Sequence, residues 1–204
     1  MNMKFLIVKT ICLVSFYSAF AQQVTLTSDE RANAVSYLEE SKASLLTSLK
    51  SLTKDQWHFK SAPDSWSIAD VCEHLILVER KFFDTVVNNI VKSGNETGQR
   101  SKFRDDEFMH HIKNRDRKVK TTPEFEPAGK FQSKNEFIKV YRKVRKKTIA
   151  YIKTTDDDLR HQLATFSPNL GNIDAYQWFL FVTAHNDRHT AQIVAIKQEV
   201  HYPK

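Results

Sequence analysis

The sequence predicts an all-α protein, a four-helix bundle with a long connector between the second and third helices. Three observations lead there. Four segments of roughly twenty or more residues each place apolar residues on one stripe at helical spacing. No run alternates apolar and polar residues for a useful strand length. Only four glycines and five prolines occur in 204 residues, too few for a loop-rich β sandwich.

The first helix opens at Thr27-Ser28-Asp29-Glu30, which has capping-box spacing. Ala34, Leu38, Leu45, Leu46 and Leu49 then recur at helical spacing to about Leu52. Thr53 to Ser65, with Pro63 and mixed aromatics, reads as a connection. Ser67, with Asp70 three residues on, caps the second helix, whose apolar face is Ile68, Val71, Leu75, Val78, Phe82 and Val86. Gly94 is its expected stop. Residues 92–130 form the connector: basic, bearing RSKFRDD, HHIKNRDRKVK, Pro123 and Pro127, and without an apolar period. A connector this long is either mobile or functional. Its basic run reads as a solvated loop rather than an anionic contact, and it lacks the regular aromatic interleaving of a single-strand nucleic-acid platform. Ser133 and Glu136 cap the third helix, which buries Phe137, Val140, Tyr141, Val144, Thr148 and Ile152 and ends at Asp156–Asp158. The fourth begins near Asn172 or Asp174 and runs toward Gln198.

Residues 1–21 stand apart from this domain. Lys4 and Lys9 precede an apolar run from Ile11 to Phe20, and Ala19-Phe20-Ala21 supplies a small-residue exit. That is the pattern of a secretory signal peptide, so the expected organisation is a leader at 1–21 and one domain at 22–204. Its removal leaves 183 residues and lowers the net charge from +7 to +5, since two lysines leave with it. The mature protein is then expected outside the cytoplasm, periplasmic or secreted, with no membrane span. The modest positive charge does not demand nucleic acid, and no nucleic-acid partner is expected.

Cysteine usage constrains the chemistry further. Cys72 alone remains in the mature chain, so neither an internal disulfide nor a Cys-rich zinc ribbon can form. Any metal must be held by histidines and carboxylates, and the chain has eight histidines. In the fourth helix, Trp178, Val182, His185, His189, Ile193 and Ile196 fall within about 60° of one another around the axis. His185 and His189 thus interrupt an apolar stripe. Their i, i+4 spacing points both imidazoles the same way, which suits one metal at Zn–N distances of ~2.0–2.1 Å. The pair alone equally suits core histidines satisfied by polar neighbours. His74, at the edge of the second helix's stripe, adds a third inward imidazole, and three such ligands leave a coordination position open. Cys72 lies about 160° around that helix from His74 and should not share the metal. Glu73 should point elsewhere, and Asp187 and Arg188 should lie on the flank of the last helix.

Two stretches resemble a known family. Trp66-Ser67-Ile68, followed after five residues by His74-Leu75, is similar to the W-S-I-x-x-x-x-x-H-L signature of the DinB/YfiT-like superfamily. His185 through Ile193 resembles its second signature, H-x-x-x-H-x-x-Q-I, and the order and the gap of about 110 residues fit. The resemblance implies a four-helix bundle binding a divalent metal through His74, His185 and His189, with zinc or nickel the first expectation. It also implies a homodimer. Gln192, one turn after His189, is a candidate to orient a ligand or substrate, or simply packs. Trp66 and Ser67 read as staple and cap of the second helix. The reaction is less determined than the site. A hydrolase acting on a small molecule of unknown identity is one reading; a non-catalytic metal- or ligand-binding bundle and a thiol-dependent transferase are the alternatives. No general base is evident, so catalytic residues stay unassigned.

Overall fold

The computed structural model describes residues 25–93, 99–116 and 119–204. The expected leader at 1–21 and the expected helix stop at Gly94 lie outside the described residues. The order is α1 (Ser28–Ser48), α2 (Lys54–His58), α3 (Ile68–Thr85), a π-helical turn (Val86–Ile90), α4 (Val91–Ser93), α5 (Asp105–Lys113), a 3-10 turn (Pro123–Phe125), α6 (Lys134–Thr154), β1 (Leu163–Ser167), β2 (Gly171–Asp174) and α7 (Ala175–Lys197). The helices α1, α3, α6 and α7 form the bundle. α1 and α3 each pack against both α6 and α7, so they sit on opposite corners.

Capping boxes start these helices. Thr27, Ser67, Ser133 and Asp174 each accept from the backbone amide three residues on, and each N3 side chain returns the bond. Orphan amides of the first turn are thereby satisfied. A fifth box, Thr53 with Gln56, builds the short α2 inside the segment expected to be a plain connection.

Two expectations need correction. An antiparallel hairpin, β1 with β2, precedes α7. Each strand is too short to display a period, and the turn that joins them, Pro168-Asn169 with Gly171 at φ +69°, was the available signal. The connector at 92–130 is also not a plain solvated loop. It contains α5, which packs on α7 and buries Phe108 and Met109. One buried turn is too little for periodicity to register. The connector also reaches the histidines, where Phe125 packs against His74.

The apolar core falls into two clusters, one around Leu38, Phe83, Ile152 and Phe179, the other around Leu45, Val71, Tyr141 and Ile193. A buried polar layer contributed by all four bundle helices lies between them. Arg145, fully buried, pairs with Glu79 at 2.9 Å and donates to the Leu38 carbonyl and the Ser41 hydroxyl. Thr148 donates to Glu79, Tyr141 to Asn186, and Asn186 to the Ser41 carbonyl. Burying this ion pair is tolerable because every member is bonded. No described helix is long and apolar enough to cross a membrane.

Candidate metal centre

His74 on α3 and His185 and His189 on α7 meet at the seam between those helices. One ring nitrogen from each lies within 4.8 Å of the others. Nε2 of His185 stands 3.3 Å from Nε2 of His74 and 3.1 Å from Nε2 of His189. This is the only such group of histidine, cysteine or carboxylate side chains among the described residues.

The outer nitrogens define the tautomers. Nδ1 of His74 lies 2.9 Å from the Phe125 carbonyl, which can only accept, so Nδ1 carries the hydrogen and Nε2 keeps its lone pair. Nδ1 of His189 stands in the same relation to Oε1 of Gln192, at 2.8 Å. Two lone pairs therefore face Nε2 of His185, and a hydrogen there could serve only one of them well. The arrangement leaves at least one buried nitrogen unsatisfied unless a cation is shared. The donor set thus fits a divalent metal, and the outer bonds to Phe125 and Gln192 hold the rings in the orientation a ligand needs.

Electrostatics favour the same state. Burial lowers the pKa of His74 below 6.5, against a smaller upward pull from the Phe125 carbonyl. Burial, followed by the neighbouring imidazoles and Arg188, lowers His185 well below 6.5. His189 falls to about 3, again mainly through burial and then His74, with the Gln192 bond opposing. All three are neutral at physiological pH, the form that ligates.

Aromatic rings frame the cluster. The ring centroid of Trp66 is 4.9 Å from that of His74 and 6.4 Å from that of His189. Trp66 is therefore a wall of the site and not merely a helix staple. Phe181 stacks on His185 at 4.9 Å. The connector supplies Phe125, which the absence of a sequence period concealed. Glu73, adjacent to His74, turns away from the cluster. Its carboxylate accepts from the amides of Ala128 (3.1 Å) and Lys130 (2.7 Å), so it ties the connector down beside the site. Asp187 pairs with Lys113, and Arg188 donates to the carbonyls of Ile112 and Asn114 at the end of α5. Cys72 is fully buried in the second apolar cluster, where burial pushes its thiol pKa well up, and it takes no part.

Comparison with known proteins is consistent with this geometry. The family model of the DinB superfamily matches residues 37–193, from the third turn of α1 into the last turns of α7. The uncharacterized protein YuaE of Bacillus subtilis (strain 168) is 23% identical over 167 residues, which cover 81% of this chain and 98% of that protein. No solved structure matches.

Proposed function

Given that the chain belongs to the DinB superfamily, we propose that it binds one divalent metal ion through His74, His185 and His189 and uses it in the hydrolysis of a small molecule. The observation that supports this most is the convergence of three Nε2 atoms, two of them on rings, His74 and His189, fixed by Phe125 and Gln192. A three-imidazole set leaves the ion its full charge, so the bound ion supplies Lewis acidity and acidifies water toward a pKa of ~7. The partly exposed edge of His185 gives a ligand its approach. Trp66 and Phe181 exclude water from the flanks. Zinc and nickel are the proposed ions, since imidazole suits both. The signal-peptide pattern in the sequence of residues 1–21 supports export, and processed protein from full-length expression in a bacterial host should begin at Gln22 by intact mass.

A second reading has its own support. The cluster contains no carboxylate, and the nearest acidic groups on these helices, Glu73 and Asp187, are bound elsewhere. A non-catalytic metal-binding bundle would look the same. Elemental analysis of protein purified without an affinity tag should find about one divalent ion per chain, and His185→Ala should lose most of it. Full occupancy in that variant refutes the ligand set. Turnover of esters or amides by the metal-loaded chain, absent in His189→Ala, separates the hydrolase from the passive binder.

A further inference from the structure

The charge excess of the whole protein resides on one helix. α6 contains eight lysine and arginine residues and a single acid, Glu136, a net +7. The full chain is also +7, so all its other residues together are neutral. Two of the eight cations are engaged in the fold: Arg145 is buried against Glu79, and Lys134 donates to the Leu52 carbonyl. The other six, Lys139, Arg142, Lys143, Lys146, Lys147 and Lys153, are exposed. At 100° per residue they lie within about 80° of Lys139 around the axis, and they extend over about 21 Å.

Little opposes this stripe. Lys147 reaches the exposed Asp84 at 3.5 Å, and none of the other five has an ion pair among the described residues. Glu136 is occupied at the cap, where it accepts from the amides of Gln132 and Ser133. Like charges three and four residues apart destabilise a helix, and the stripe has several such pairs. A negative surface laid on it relieves that repulsion.

The form of the stripe selects the kind of surface. α6 packs against α1 and α3, and hydrogen bonds tie it to α1 at both ends, through Lys134 to Leu52 and through Arg31 to Ile152 and Thr155. It therefore lies flush with its neighbours and cannot enter a nucleic-acid groove. The stripe also offers no aromatic ring or side-chain amide with which to stack on or read a base. Five of its six cations are lysines, point charges that need no fixed partner geometry. The apolar side of α6, with Phe137, Tyr141, Ile149 and Ile152, is buried in the core, so contact is adsorption and not insertion.

We infer that the exposed face of α6 is a docking surface for a membrane rich in anionic phospholipid, on which the helix lies flat with its six cations against the headgroups. This is independent of the metal reading, since none of these residues belongs to the histidine cluster.

Co-sedimentation of the full chain with vesicles tests it. Vesicles of phosphatidylcholine with 30% phosphatidylglycerol should bind the chain at low salt and release it at high salt, while pure phosphatidylcholine vesicles should not bind it. Each stripe charge is expected to contribute about fivefold in affinity, so the triple variant Lys139→Gln, Lys143→Gln, Lys146→Gln should bind about 100-fold more weakly. The single variant Lys143→Gln, with an expected fivefold loss, serves if the triple variant does not fold. A second triple variant, Lys54→Gln, Lys102→Gln, Lys120→Gln, has the same net charge but an intact stripe, and should lose only a few-fold. Equal losses in the two triple variants, or no preference for the anionic vesicles, overturns the docking face. Binding to duplex DNA that depends on the stripe, in a chain that ignores anionic vesicles, overturns the lipid partner.

Discussion

His74 and His189 reach the centre with one nitrogen and hold a polar partner with the other, and this division of labour makes Gln192 consequential. Its Oε1 fixes the tautomer of His189 and the rotation of the ring. Gln192→Ala should weaken metal affinity about 10- to 100-fold, as loss of a partner that orients a ligand typically does. Competition with a chelator indicator measures it, and helicity by circular dichroism should not change. A different residue-scale effect is expected at Glu79, which lies outside the centre. Glu79→Ala leaves the fully buried Arg145 without its counter-charge and should cost roughly 3–5 kcal/mol in urea unfolding. Histidines in an apolar stripe could be singled out from the sequence because they break a pattern. Phe125 could not, since it contributes a backbone carbonyl, and every residue has one. Trp66 was visible as a residue, but its contact with His74 and His189 depends on how α3 meets α7.

At the scale of elements, local signals were legible where one helix contains its own instructions. The boxes at Thr27, Ser67 and Ser133 could be read directly, the start of the last helix only as Asn172 or Asp174, and the four long helices follow them. The hairpin and α5 were not legible, because they are short and become stable only against α7 and its neighbours. The Ser67 box matters most to the site, since it starts the helix that bears His74. Asp70 accepts from the amide and hydroxyl of Ser67 and pairs with Lys60 at 3.0 Å. Burial opposes its charge, but those bonds outweigh it and hold its pKa below 3.8. A carboxyl with a lowered folded pKa stabilises the fold above its unfolded value, and that contribution fades as the pH falls through the folded value. Asp70→Asn should therefore be less stable than the parent by about 0.5–1 kcal/mol at pH 7. The difference should close in acid, below pH 3.8. Thermal melts of both chains across pH decide this; a gap that persists in acid would mean that the cap acts without its charge.

For the whole molecule, the polar layer that divides the apolar core joins the three-histidine cluster to global stability. Asn186 lies beside His185 in the chain and is bonded to Tyr141 of α6 and the Ser41 carbonyl of α1. Glu79, five residues after His74 on α3, holds Arg145 of α6. α7 is thus pinned to α1 and α6, and α3 to α6, whose Arg145 is bonded in turn to α1, so the helices that supply the histidines are tied into one polar network. A ligand that binds only the folded arrangement stabilises it by mass action, by about 2.7 kcal/mol at a free concentration 100 times its Kd. For a domain of this size that corresponds to a rise in Tm of roughly 5–10 °C. Chelation should therefore lower the Tm by that amount, and added zinc or nickel should restore it. In His185→Ala the melt should be indifferent to both treatments. Glu73→Gln provides the contrast: it loosens the connector at Ala128 and Lys130 but leaves the three rings in place, so its metal-dependent shift should persist while hydrogen exchange rises at those two amides. Loss of the shift in Glu73→Gln would mean that the connector, through Phe125, positions His74 more strongly than α3 does.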